Sequence, residues 1–236
     1  MSKHKLRPYI SVIIAALNEE ASIAKVIDAV PKNLADEIVV VDNGSKDRTA
    51  QVASAAGARV VKEVIPGYGR AFRAGLRSIS PECEIVVFLD GDGSDCPELM
   101  DRLVTPIIEG RADFVIGSRT QGHREAGSMN FHQVLAGYTI GFILRILYGV
   151  RSTDMGPFRA IRRETLDRLG LREETYGWPL EMQMRAAQAG VRTMEVPVDY
   201  RRRAGGQSKI AGTVRGSVLG ATRILITLAR ISIKRE

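Results

Sequence analysis

The chain has 236 residues, 44% hydrophobic and 26% charged, which supports one sizeable domain with its own core and excludes global disorder. Cys83 and Cys96 make neither a disulfide framework nor the paired spacing of a zinc site, and the basic, polar stretch Met1 to Pro8 lacks the apolar run of a secretion signal, so a reducing cytoplasm is the expected compartment. The formal charge of +7 calls for an anionic partner, yet nine Lys or Arg against one acid lie from Arg201 onward, without zinc-finger spacing or an aromatic RNA-binding signature, so nucleic acid is not expected.

Strand and helix patterns alternate along the chain. Tyr9 to Leu17 is a nearly unbroken apolar run, as in a parallel strand covered on both faces. Asn18-Glu19-Glu20 then opens a helix with Ile23, Val26, Ile27 and Val30 on one face. Glu37 to Val41 reads as a second strand, Asp47 to Ala56 as a helix stopped by Gly57, and Ala58 to Val64 as a third strand. Tyr68 to Ile79 is helical, Ile85 to Leu89 a fourth strand, Pro97 to Glu109 a helix, and Phe114 to Gly117 a fifth strand. Four strand–loop–helix units predict a doubly wound, mostly parallel α/β sheet in a single domain, with ligands at the carboxyl ends of the strands.

After residue 120 the pattern loosens into a polar loop, a long apolar helix over 129–149, a strand at Phe158 to Ile161, a helix at Pro179 to Ala189 and a strand at Val191 to Tyr200. No repeat or linker interrupts it. The expected organisation is a nucleotide-binding half (9–120), an acceptor half (121–209) and a basic amphipathic helix (210–236).

The predicted strand ends carry Asn18-Glu19, Asp42-Asn43, Asp90-Gly91-Asp92 and Ser118-Arg119. So many acids on one edge repel unless a cation or a set of donors sits among them. Asp90 and Asp92, one residue apart, can point the same way, and Gly91 allows close approach. Mg²⁺ or Mn²⁺ takes one or two carboxylates plus substrate phosphate oxygens, so this pair suits a nucleoside diphosphate, although Asp-Gly pairs also mark ordinary turns. A calcium loop starting at Asp90 fails, because Asp95 and Asp101 stand where Gly and a bidentate Glu are needed. A phosphatase resembling the haloacid dehalogenases, with Asp90 as nucleophile, lacks the later acidic strand end and would not start its fold three units earlier. Asp42 suits a base or ribose, with a helix cap as its plain alternative. Gly69 and Arg70 open a helix where phosphate could bind, or else form a tight turn. Asp95 reads as the cap of the helix entered at Pro97.

Together, Ala16-x-Asn18-Glu19, Val40-Val41-Asp42-Asn43-Gly44-Ser45-x-Asp47-x-Thr49, Gly67-x-Gly69, Asp90-x-Asp92 and Gly117-Ser118-Arg119 resemble family 2 glycosyltransferases of the GT-A fold. Asp154-x-Gly156-x-Phe158-Arg159, Glu195-Val196-Pro197-Val198 and Arg203-x-x-Gly206-x-Ser208-Lys209 are similar to dolichyl- or polyprenyl-phosphate sugar transferases, such as dolichol-phosphate mannose synthase. The resemblance implies inverting transfer from a UDP- or GDP-sugar with Mg²⁺ or Mn²⁺. Ala16, Asn18, Glu19, Asp42, Gly69, Arg70 and Gly91 would belong to the donor site, Asp90 and Asp92 would hold the metal, and Arg119, Arg203, Ser208 and Lys209 would meet phosphate. Ser94 stands where relatives often carry Gln, Pro157 makes the Asp154 segment one residue tighter than the family pattern, and the C-terminal pair of transmembrane helices found in some relatives is not present. A lipid-phosphate acceptor needs no general base, whereas a hydroxyl acceptor does, for which Asp154 and then Glu181 are the candidates. The alternatives are a soluble hydroxyl acceptor, or a nucleotide-sugar-binding protein without turnover.

The 17-residue run Val134 to Val150 contains Arg145, and 210–233 is broken by three Arg, so neither predicts a membrane span. Both suit helices lying on an anionic inner leaflet, which would make the protein peripheral to the cell membrane, or alternatively a homodimer surface.

Overall fold

The computed structural model describes residues 7–204, apart from the side chain of residue 132. Ser208, Lys209 and the basic segment 210–236 lie outside the described residues. Seven strands form one sheet: β1 (Ile10–Ala16), β2 (Glu37–Asp42), β3 (Arg59–Lys62), β4 (Ile85–Asp90), β5 (Phe114–Ser118), β6 (Arg159–Arg162) and β7 (Thr193–Pro197), in the order β3-β2-β1-β4-β6-β5-β7. β1, β2, β3 and β4 run parallel, and β7 is parallel to β5, while β6 pairs antiparallel with both β4 and β5.

The helices are α1 (Ile23–Ala29), α2 (Thr49–Ala55), α3 (Tyr68–Ser78), α4 (Met100–Ile108), α5 (Phe131–Tyr148), α6 (Arg163–Leu169) and α7 (Trp178–Gln188), with a 3-10 turn at Pro97–Leu99 ahead of α4. The continuous apolar strands follow from burial on both faces. β1 shows no apolar–polar alternation, and every residue from Ile10 to Ile14 is buried. On one face of the sheet Ile23, Ile27, Ala53, Leu103 and Ile107 pack with Ile14, Val40, Val87 and Val115. On the other face Phe72, Leu166, Trp178 and Met182 pack with Ile13, Val41, Phe88 and Ile161. Each of the fully buried Ile or Phe side chains contributes roughly 1.5–3 kcal/mol.

Three sequence expectations change. The strand read over Ala58 to Val64 spans only Arg59–Lys62, and the one read over Val191 to Tyr200 spans only Thr193–Pro197, with Tyr200 making isolated bridges beyond it. α6, with Leu166 and Leu169 buried three residues apart and Gly170 ending it at φ +57°, was not expected. The second half of the chain also builds the same sheet, since β6 inserts between β4 and β5.

The chain moves outward from β1 through β2 to β3 and then returns to β4 on the other side of β1. That reversal makes the carboxyl ends of β1 and β4 a topological switch point, where α/β sheets take their ligands.

Candidate active site

β4 delivers Asp90 to this switch point, and the turn after it supplies Asp92 and Asp95. Gly91 continues the ladder, its amide donating to Ala15 O at 2.9 Å. A Cβ there would sit 3.1 Å from Ala16 Cβ and 3.2 Å from Ile23 Cδ1, so Gly91 and Ala16 serve the close packing of the β1 and β4 ends. Gly93 takes φ +79°, a left-handed conformation that favours glycine and turns the chain back. Asp92 Oδ1 accepts from Ser94 N at 2.8 Å, and Asp92 Oδ2 lies 2.6 Å from Arg203. Ser94 itself is buried.

Asp95 is not the cap expected from sequence, since the turn at Pro97 has no side-chain cap. Its Oδ2 accepts from Asp90 N at 3.1 Å, and its buried Oδ1 has no partner among the described residues. The helix start is instead preset by Pro97, and the Asp95 carboxylate turns inward. Burial first, and then the Asp92 charge, push Asp90 up to about 7 against the opposing Tyr68 hydrogen bond and Arg203. Burial and the Asp90 and Asp92 charges likewise hold Asp95 well above the usual carboxylate range.

This donor set fits a divalent cation. Among the described residues no three His, Cys, Asp or Glu side chains form a preformed cage. Two hard carboxylates one residue apart at a strand end are the combination that Mg²⁺ or Mn²⁺ uses together with substrate phosphate oxygens, and an added cation relieves the repulsion among the three aspartates.

The neighbouring strand ends flank the switch point. Asn18 adopts φ +56° and its Oδ1 accepts from Lys46 N at 2.7 Å, while its own amide donates to Ser45 Oγ at 2.9 Å. It thereby ties the loop after β1 to the loop after β2. Asp42 Oδ1 accepts from Ser45 N at 2.9 Å and stays 7% exposed at the strand end. Glu19 is buried, donates its amide to Thr49 Oγ1, and pairs with Arg203 at 2.5 Å.

Gly69 and Arg70 do not form an open phosphate-binding helix start. A Cβ on Gly69 would collide with Glu173 O, Arg70 N donates to Glu174 O at 3.1 Å, and the Arg70 guanidinium pairs with the Glu174 carboxylate. The 173–174 backbone therefore covers the α3 terminus. Between Gly67 and Gly69 lies a residue that sequence reading passed over: Tyr68, whose hydroxyl donates to Asp90 Oδ1 at 2.8 Å. Its place at the start of a helix beside a strand-end acid was the signal.

The two candidate bases are tied down. Asp154 is 1% exposed and accepts from Arg119 N, Nε and Nη2 at 2.7–2.8 Å, with a further bond from Met155 N. Burial alone would raise its pKa, but the Arg119 charge and hydrogen bonds bring it below the usual range. Glu181 is fully buried, accepting from Arg172 N, Glu173 N and Arg185 Nε. It fastens the loop that covers α3. Arg119 also lies over the Tyr200 ring, 4.9 Å from its centroid. Arg159, fully buried, hydrogen-bonds the carbonyls of Gly156 and Pro179, and burial lowers its pKa to about 10.

Comparison with known proteins matches this arrangement to one family. The glycosyl transferase family 2 model covers residues 11–170. An uncharacterised glycosyltransferase of Mycobacterium tuberculosis is 38% identical over 212 residues, covering 89% of this chain and 93% of its own. A dolichyl-phosphate hexose transferase of Haloferax volcanii is 33% identical over 229 residues, covering 93% and 94%. An undecaprenyl-phosphate mannosyltransferase of Micrococcus luteus is 31% identical over 230 residues, covering 89% and 91%. Among solved structures, glucosyl-3-phosphoglycerate synthase from M. tuberculosis in complex with Mn²⁺, UDP and glucosyl-3-phosphoglycerate is similar at TM-score 0.75 and 26% identity, over 97% of this chain and 81% of its own. The phosphatase alternative is set aside by these matches. The chain belongs to glycosyl transferase family 2 and is a glycosyltransferase of the GT-A fold.

Proposed function

We propose that the protein moves a sugar from a UDP- or GDP-sugar to a lipid phosphate at a membrane surface, with inversion at the anomeric carbon. The observation that carries the donor half is the trio Asp90, Asp92 and Asp95 at the switch point between β1 and β4. Asp90 and Asp92 would hold Mg²⁺ or Mn²⁺, which neutralises charge on the leaving diphosphate when bound. Asp42 and the pinned Asn18 loop line the side where base and ribose would lie.

A phosphate acceptor is already anionic. Its oxygen forms the new bond to the anomeric carbon as the bond to the diphosphate breaks, and the electron pair leaves with the nucleotide. No proton has to be removed, which agrees with two candidate bases whose oxygens are already engaged. Asp154 instead holds Arg119 in a fixed plane suited to a phosphate. Ser208 and Lys209 are proposed to add phosphate contacts.

The membrane half is supported by α5. Phe131, Leu135, Tyr138, Phe142 and Ile146 recur every three or four residues and are 50–74% exposed. The opposite side of the helix packs on the acceptor segment: a Cβ on Gly137 would lie 3.3 Å from Thr153 O, and one on Gly141 would collide with Ser152 O. No acid lies within α5, and Arg145 and Arg151 are exposed. Among the described residues no helix is long and apolar enough to cross a membrane, so contact would be interfacial. Two of the relatives act, by name, on polyprenyl phosphates.

A second reading, transfer to a soluble phosphorylated acceptor, is favoured by the solved structure whose bound product is glucosyl-3-phosphoglycerate. A panel of UDP- and GDP-sugars with Mn²⁺ or Mg²⁺, offered either undecaprenyl phosphate in anionic vesicles or 3-phosphoglycerate in solution, separates the two. Product on the lipid alone supports the first reading; product on the soluble acid alone replaces it.

A further inference from the structure

Arg203 sits on the segment that follows β7 and crosses the turn after β4. The crossing is held by the backbone. Tyr200 bridges to Asp95, Arg201 N donates to Ser94 O at 2.8 Å, and Ala204 N donates to Asp92 O at 3.1 Å. Gly93 makes room for it, since a Cβ there would lie 3.3 Å from Ala204 Cβ. Held in this way, the Arg203 guanidinium bridges Asp92 Oδ2 at 2.6 Å and Glu19 Oε1 at 2.5 Å. Its Nε is buried with no partner among the described residues.

Both oxygens of Asp92 are consequently in use, Oδ1 by the Ser94 amide and Oδ2 by Arg203. A divalent ion approaching Oδ2 meets a guanidinium charge already 2.6 Å from that oxygen and has to compete with it. We infer that Arg203 is a built-in stand-in for the metal: it carries the positive charge at Asp92 when no donor is bound and gives up that place only when a diphosphate arrives. This rests on the reading that Asp92 holds the metal.

The consequence is a coupling between two ligands. Metal alone has to displace Arg203 from two carboxylates, so its apparent affinity falls by the fraction of molecules in which Arg203 has left. A diphosphate offers the released guanidinium a new charge-assisted partner and gives the metal additional oxygens. Metal and diphosphate each therefore raise the other's affinity by the same factor. Arg203 would make the site load its metal together with its donor rather than before it.

The test is Mn²⁺ binding to the full chain, read from the electron paramagnetic resonance signal of free Mn²⁺, without nucleotide and with UDP or GDP. Wild type is expected to bind Mn²⁺ weakly alone and at least about tenfold more tightly with the nucleotide it accepts, and simple additivity in wild type would overturn the proposal. Arg203→Gln is expected to bind Mn²⁺ alone about tenfold more tightly than wild type and to lose most of the coupling. Arg202→Gln removes the same charge one residue away, from a side chain that reaches Ala126 O. It is expected to leave Mn²⁺ affinity unchanged. Equal tightening in both variants would mean only a general change of field and would overturn the proposal, as would an Arg203→Gln protein that binds Mn²⁺ no better than wild type. Asp92→Asn binding Mn²⁺ like wild type would instead remove the assignment of the metal to Asp92, a separate result.

Discussion

At the scale of single residues the site depends on the proton of Asp90, which burial and the neighbouring Asp92 charge make hard to lose. Its folded pKa of about 7 lies above the ordinary carboxylate value, so the folded state retains a proton that the unfolded chain has lost between about pH 4 and 7. The sign follows: ligand-free protein loses stability as pH rises through that window, and Asp95 adds to the same trend. Asp113 and Asp154 lie below the usual range, the first through its Arg192 hydrogen bond and the second through Arg119 overcoming burial. Their contributions are lost only under more acid conditions, so they leave this window clear. The melting temperature without ligands should fall between about pH 5 and 7.5, and Mn²⁺ with nucleotide should flatten that slope. A flat or rising profile without ligands would remove the argument. Tyr68→Phe keeps the ring against Phe72 but deletes the hydrogen bond that lowers the Asp90 pKa. Nucleotide binding with Mn²⁺ should weaken about tenfold, as for a lost hydrogen bond to a charged group, and its pH midpoint should move upward. An unchanged midpoint would mean that Tyr68 does not tune Asp90. The place of Asp90 and Asp92 at a strand end was legible because the apolar run Ile85 to Leu89 stops at them. The role of Tyr68 and the inward turn of Asp95 were not legible, because both depend on which way a side chain leaves a loop.

At the scale of elements, the alternating apolar runs made the parallel strands and their flanking helices legible, and the order of loops placed the acids on one edge. The antiparallel insertion of β6 was not legible, since a four-residue strand carries no signal of its partner. The Gly67-Tyr68-Gly69-Arg70 segment opens a helix as expected and, of the two readings the sequence left open, the structure favours the tight turn over the phosphate site. Its glycines admit the backbone of Glu173 and Glu174, so Gly69→Ala should destabilise the fold by about 1–3 kcal/mol through overpacking. Arg70→Gln should change stability by at most about 1 kcal/mol, since its pair with Glu174 is partly exposed, and should leave nucleotide affinity unaltered. Chemical denaturation and nucleotide titration of the two variants check this, and a large loss of nucleotide binding in Arg70→Gln would restore the phosphate role. For α5, replacing Phe131 and Phe142 together with Ser should abolish sedimentation with anionic vesicles while leaving soluble expression and nucleotide binding intact. Retained vesicle binding would move the membrane contact elsewhere.

At the scale of the whole molecule, the sheet gathers on one edge Asp42 and Asp90 from the first half, proposed as the nucleotide side, and Arg119, Asp154 and Arg203 from the second, proposed as the phosphate side. β6 and β7 join the same sheet as β1 to β5, so Arg119, Asp154 and Arg203 are fixed to the strands that carry Asp42 and Asp90 rather than to a separate lobe. The fold and reaction class were readable because motif order follows strand order. The acceptor was not, because α5 shows apolarity and charge without naming what they meet. The central claim is that Asp90 and Asp92 form a metal-dependent diphosphate clamp. Calorimetric titration of UDP and GDP into wild type and Asp92→Asn, with Mn²⁺ and with chelator, tests it most directly. Wild type should bind one nucleotide only with Mn²⁺, and Asp92→Asn, folded by circular dichroism, should lose that metal-dependent binding. Equal binding by both proteins, or binding indifferent to Mn²⁺, would contradict the account.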